Sequence, residues 1–373
     1  MTEAAVAPAF AAIAQAQALA DRASEKEQAL IAALAKRYSP DPEADRAALD
    51  TAYAEAMARV HAAYPEDADI ASLYAEAAMD TSPWDYWQRD FTTPHPHIAP
   101  AIAAVEKVLE ANLDHPLAIH LYIHLMEPSQ MPERAEPYAD RLAPLMPAAG
   151  HLVHMPAHIY FRIGRYIDSL ETNKDAVIAD EDYLAQVQGS DVYRYGYYPH
   201  NVHFVLVSAQ MADDPETVLQ FAEKLDALIP YQAVVTEPWV QPIKAAPLFA
   251  FVQFAEPDAI LARAAPPEEL SYLKGMWHYA RGSAFVLKGN TKAALKEADA
   301  IAALQDKDDV KALEEGMIRV PAGDVLRIAE LLVRARVDQH AGETMAAADR
   351  IKQAIGIEKT LSYTEPPYWY YPI

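Results

Sequence analysis

No window of this sequence alternates apolar and polar residues long enough to build a half-buried strand. Apolar residues instead recur at helical spacing, as in IAPAIAAVEKVLEANL over 98–113. Alanine is abundant, while glycine and β-branched residues are sparse, so intrinsic propensity points the same way. The chain reads as all-α. A length of 373 residues fits two or three ordinary domains or one long array of repeated units.

Spacing favours the array. In GHLVHMPAHIYFRIGRYIDSLETNKDAV, 150–177, a small residue is followed by a tyrosine, then Gly-x-Tyr, then a second amphipathic run. This pattern resembles the tetratricopeptide (TPR) repeat. Ala157 falls at repeat position 8, Tyr160 at 11, Gly164 at 15, Tyr166 at 17 and Ala176 at 27, with Ser169 in place of the usual alanine at position 20. One period of about 34 residues upstream, Pro116 takes position 1, Ala135 position 20 and Pro147 position 32. Ala101, Pro199, Pro230, Gly282, Gly289 and Ala294 fit further registers. The resemblance implies one right-handed α-solenoid of helical hairpins over 1–373, whose first helices line a concave groove. Its histidine-rich repeats span 116–230. The competing reading is an irregular all-α protein with chance periodicity.

Seven of the 13 histidines lie between 120 and 203. In the repeat frame positions 2, 5, 9 and 12 face the groove. His120 and His124 take positions 5 and 9, and His154 and His158 take the same two positions one period later. His151 and His200 take position 2, and His203 position 5. Residues four apart stack on one helix face, and neutral imidazoles crowded in a groove are good donors for a transition metal. We therefore take His120, His124, His154, His158 and His203 as candidate metal ligands. His151 and His200, at helix starts, are candidate substrate contacts. Glu127 at position 12 and Glu76 at position 9 of an upstream repeat are candidate further ligands or general bases. Pro156 cannot donate to the carbonyl of Leu152, and a kink there would shift His151 and His154 relative to His158, either aiming them at a metal or spoiling the shared face.

Two stretches depart from the period. SPWDYWQRDFTTPHPH, 82–97, carries Trp84 and Trp87, read with Trp239 as core or loop anchors, and His95 and His97, read as loop histidines. An insertion at 183–198 carries Tyr183, Tyr193, Tyr195, Tyr197 and Tyr198. It is either tacked down by them or closes over substrate, with Tyr195 and Tyr197 as candidate substrate contacts. His61, His278 and His340 receive no role.

The formal charge of −23 argues against nucleic acid and anionic membranes as partners. With no cysteine, thiolate zinc sites, Fe–S clusters and disulfides are excluded, so any ion is held by nitrogen and oxygen. That suits Cu, Fe or Zn in a catalytic or redox role better than a structural zinc. No HExxH, Rossmann or P-loop spacing is present. There is no apolar run of membrane-spanning length and no basic signal-peptide start. The chain is expected to be soluble and cytoplasmic by default.

SPWDYW, HPLAIHLYIHLMEPS, GHLVHMPAHIYFRIGRY, YYPHNVHF and EPPYWYYP together resemble a family of longer bacterial TPR proteins. That resemblance implies the fold and a histidine-rich groove, not a reaction. Its members extend beyond both ends of this chain, which leaves a processed, periplasmic form open. Three functions stand as expectations. The first is a metal-dependent enzyme activating water or dioxygen on a small-molecule or peptide ligand. The others are a TPR scaffold clasping a peptide or protein partner, and metal sequestration without catalysis.

Overall fold

The computed structural model describes residues 3–187, 192–315, 319–371 and 373. Residues 188–191 of the expected insertion lie outside them. The described residues form helices joined by turns and loops, with no strand among them beyond one isolated bridge, Trp87 to Pro94. The all-α expectation holds. No helix among the described residues is long and apolar enough to cross a membrane.

Contacts gather the chain into two units, Met1–Met146 and Pro147–Ile373, where the periodicity reads a single array over 1–373. The boundary falls inside the histidine-rich stretch, between the helix that ends at Leu145 and Pro147, which lacks a backbone N–H. The first unit runs α1 (Glu3–Ala18), α2 (Glu25–Leu34), α3 (Arg46–Ala63), α4 (Ala68–Met79), α5 (Ala99–Ala111), α6 (Pro116–Met126) and α7 (Glu136–Leu145). From α1 to α7 each helix packs against the next. Its starts are written in short polar side chains. Ser24 forms a capping box with Glu27, Asp45 accepts from Ala47 and Ala48, Asp67 accepts from Ile70, and His115 accepts from Ala118 ahead of Pro116.

The second unit begins with α8 (Gly150–His154) and α9 (Pro156–Arg162), followed by α10 (Tyr166–Gln186), α11 (Tyr198–Met211) and α12 (Pro215–Leu228). The helix breaks at Met155, where Pro156 is expected to kink it. Gly164, at φ +84°, reverses the chain between α9 and α10. Next come α13 (Tyr231–Thr236), α14 (Gln241–Phe254), α15 (Pro257–Leu261), α16 (Ser271–Leu287), α17 (Thr291–Ala302), α18 (Asp308–Glu315), α19 (Ala322–His340) and α20 (Thr344–Glu358). A non-helical tail then runs back over the unit. Trp369 and Tyr370 on this tail are buried in the unit's hydrophobic core with Phe249, Tyr272 and Tyr279, each contributing about 1.5–3 kcal/mol by burial. The Tyr370 hydroxyl donates to Gln210 Oε1 at 2.8 Å, and the Tyr371 and Tyr279 hydroxyls lie 2.7 Å apart. These anchors fix where the tail's polar residues stand.

Candidate metal centre

α8 and α9 are too short to bury a face alone, and both pack on α10. The approach is closest at Gly150, where a Cβ would lie 1.9 Å from Asp180 Oδ1. Asp180 cannot yield, because the Tyr193 hydroxyl donates to it at 2.5 Å and Asn201 Nδ2 at 2.7 Å. Burial pushes the Asp180 carboxyl up. Tyr198 in turn donates to Glu181 at 2.7 Å. Of the insertion's tyrosines, Tyr193 and Tyr198 therefore tack it down. Tyr195 is half-buried and Tyr197 exposed, and the Tyr197 ring sits edge-on to His151 at 5.2 Å.

This clamp sets His154 and His158 against His200, from α11. His154 Nε2 lies 2.7 Å from His158 Nε2 and 3.0 Å from His200 Nε2. One nitrogen from each ring falls within 4.8 Å of both others, an arrangement that could hold a metal ion. His154 and His158 are buried. Phe204 stands edge-on to all three rings at 4.7–5.0 Å, one turn beyond His200, and keeps water from that side.

The far nitrogens are committed. His154 Nδ1 lies 2.5 Å from Asn173 Oδ1, and Asn173 Nδ2 donates to the Ser169 carbonyl. The amide is thus oriented with oxygen toward the ring, so Nδ1 carries the proton. His158 Nδ1 lies 2.7 Å from Glu365 Oε2, within ion-pair distance though not aligned as a hydrogen bond, and a carboxylate that close favours a proton on Nδ1. Burial first, then the neighbouring imidazoles, holds His154 well below the ordinary histidine range. The same two causes, burial and His158, bring His200 down to about 3. His154 and His200 are therefore neutral at pH 7.

The remaining candidates fall elsewhere. His203 lies on the same turn as His200 but off the face that His200 shares with Phe204. It is buried against Tyr370, with both ring nitrogens lacking a hydrogen-bond partner, and burial lowers it to about 3. His200, read from its helix-start position as a substrate group, supplies the third nitrogen instead. His151 stands 6.3 Å from the His154 ring. In the first unit the His120 and His124 rings lie 4.8 Å apart, with His124 Nδ1 2.8 Å from the fully buried Glu127. Trp84 is edge-on to His124 at 6.3 Å, and Trp87 donates to the Leu125 carbonyl at 2.7 Å, anchoring the loop as expected. His95 and His97 stack within that loop. Among the described residues Glu76 joins no group of side chains that could hold a metal ion. Burial and then Asp80 raise its carboxyl, against Arg37.

Two residues of the centre have no counterpart in the spacing pattern, Asn173 and Glu365. Asn173 had a faint signal, as a polar residue on the apolar face of an amphipathic helix. Glu365 opens EPPYWYYP, a carboxylate at the head of an aromatic run, but lies more than 200 positions from the ring it meets. Compared with known proteins, the chain matches no family model and no curated protein.

Proposed function

We propose that the chain is a metal-binding protein of the tetratricopeptide type, with a transition-metal ion at His154, His158 and His200. One observation carries this. Asn173 and Glu365 lie against Nδ1 of His154 and His158 and favour the proton there, so that the two Nε2 atoms face each other at 2.7 Å as lone pairs. Lone pairs at that distance repel unless a cation lies against both. Metal-ligating histidines commonly donate the far N–H to a carboxylate or carbonyl in this way, which orients the ring and raises its basicity. Tetrahedral bonds of about 2.0–2.1 Å would set the nitrogens about 3.3 Å apart, so His154 and His158 would have to separate by about 0.6 Å. The TPR assignment is supported by α9 and α10. Gly164 turns the chain, and Ala157, Ser169 and Ala176 are fully buried, with Ser169 Oγ 3.3 Å from the Ala157 carbonyl oxygen.

A metal held by three imidazoles supplies Lewis acidity toward water, or redox capacity toward dioxygen. The chain's own residues do the rest. Phe204 excludes water, Glu365 holds His158 in its tautomer, and His151 with Tyr197 at the margin are placed to contact substrate. The protein is then a metal-dependent hydrolase or oxidoreductase. The competing possibility rests on the same 2.7 Å separation, which is also a hydrogen-bond length. A proton on His158, neutralised by Glu365, would take the ion's place and leave a scaffold that binds partners without metal.

Elemental analysis of the purified protein, before and after titration with zinc, copper and iron, separates the two. One ion per chain is expected, lost in His154→Ala and His158→Ala and retained in His340→Ala. Wild type that takes up none of these metals sinks the proposal.

A further inference from the structure

A second feature lies in the α14, α16 and α19 region. A cavity of about 500 Å³ is lined by Val252, Ser283, Val286, Leu287, Arg336, Gln339 and His340. No acidic residue lines it. Arg336 is partly buried there, and its partners are hydroxyls and a ring rather than carboxylates: the Ser283 hydroxyl, the Tyr279 hydroxyl at 3.2 Å, the Tyr371 hydroxyl and the Tyr279 ring face at 5.4 Å. The Ser283 hydroxyl hands its own proton to the Tyr279 carbonyl at 2.9 Å, so it can only accept from the guanidinium.

Other arginines of the same helix behave differently. Arg327 and Arg334 both pair with Glu330, and Arg334 also reaches Asp299. Among the described residues no carboxylate lies within ion-pair distance of Arg336. In a chain of net charge −23 acidic partners abound, so a cation kept from all of them and turned to a cavity is notable. A guanidinium has five N–H donors in a fork that matches a carboxylate or phosphate, and partly burying its charge without a counter-ion is costly. The Tyr279 ring offsets only part of that. Val252, Val286 and Leu287 supply an apolar wall beside it.

We propose that this cavity binds a small amphiphilic anion, its carboxylate or phosphate head on Arg336 and its apolar body along Val252, Val286 and Leu287. The site uses none of the metal-centre residues, and it stands whether or not a metal binds.

The test is calorimetric titration of the full chain in low-chloride buffer with a chelator present, so that no probe can act through a metal. The probes are sodium octanoate, octyl phosphate and octanol. Saturable binding of one octanoate or one octyl phosphate per chain is expected, and which anion binds identifies the head group. Arg336→Gln is expected to weaken it about tenfold or more, the scale of a lost charge-assisted hydrogen bond. Leu287→Glu, at a residue 66% exposed, sets a charge against the apolar body and repels the anion, and should weaken binding with no change in melting temperature. It carries the test if Arg336→Gln misfolds. Failure of both anions to bind, octanol binding as tightly as octanoate, or affinity unchanged in Leu287→Glu would overturn the proposal.

Discussion

His120 with His124, and His154 with His158, share one spacing and one pair of repeat positions, yet they end in different surroundings. In the first unit the rings are 4.8 Å apart, half-buried, and His124 meets a carboxylate three residues on in its own chain, Glu127. In the second unit the rings are 4.4 Å apart and buried, and everything they meet comes from another element: Asn173 from α10, His200 and Phe204 from α11, Glu365 from the tail. Equal spacing sets two rings on one face. What the face does depends on which elements pack against it and how closely.

That closeness is the first thing to break. Position 1 of the repeat is Pro116 in one region and Gly150 in the other, and only Gly150 lies against a held carboxylate. Gly150→Ala is expected to destabilise the protein by about 3 kcal/mol, the upper range for an overpacked contact, seen as a drop in the denaturant midpoint. Removing the tail's contribution comes next. Glu365→Gln should weaken metal binding by about 10- to 100-fold, the usual effect of a lost outer hydrogen bond, in a competition titration with a coloured chelator. Asn173→Leu should cost about tenfold, near the low end of the same range. It removes a neutral acceptor rather than a charge.

The burial difference also predicts a pH effect in metal-free protein. His154 and His200 have folded-state values below the unfolded value of about 6.5. The unfolded chain therefore binds more protons as pH falls below that value. Their contribution to stability is fully present above it and is lost as pH drops below it, for His200 over the range down to about 3. Each ring lowers stability by up to about 1.4 kcal/mol per pH unit in that window, measurable by urea unfolding with a chelator present. The smallest effect is expected from His124→Ala, which should leave most of the bound metal in place. Loss of metal there equal to that in His158→Ala would erase the distinction between the two regions.

The helical class was legible because Ala-rich periodicity and caps such as Ser24 and Asp67 act locally. So was a kink at Pro156, since a missing N–H needs no tertiary context. The pairing of His154 with His158 followed from a spacing of four. The identity of the third nitrogen did not. His200 and His203 lie on the same turn, and only the packing of α11 against α8 and α10 decides that His200 and Phe204 face the rings while His203 faces Tyr370. Glu365 was out of reach for a different reason. Its position is set by Trp369 and Tyr370 entering a core formed far away in sequence, and no periodic signal records a tail folding back.

The central claim is that His154, His158 and His200 present bare Nε2 atoms to one ion while Asn173 and Glu365 hold the Nδ1 protons of the first two. Long-range proton–nitrogen correlation NMR of the histidine rings, recorded on zinc-titrated and chelator-treated protein, reads this directly. The account predicts that zinc shifts the Nε2 resonances of these three rings, with His154 and His158 still protonated at Nδ1. Rings unchanged by zinc, or zinc found on Nδ1, would contradict it.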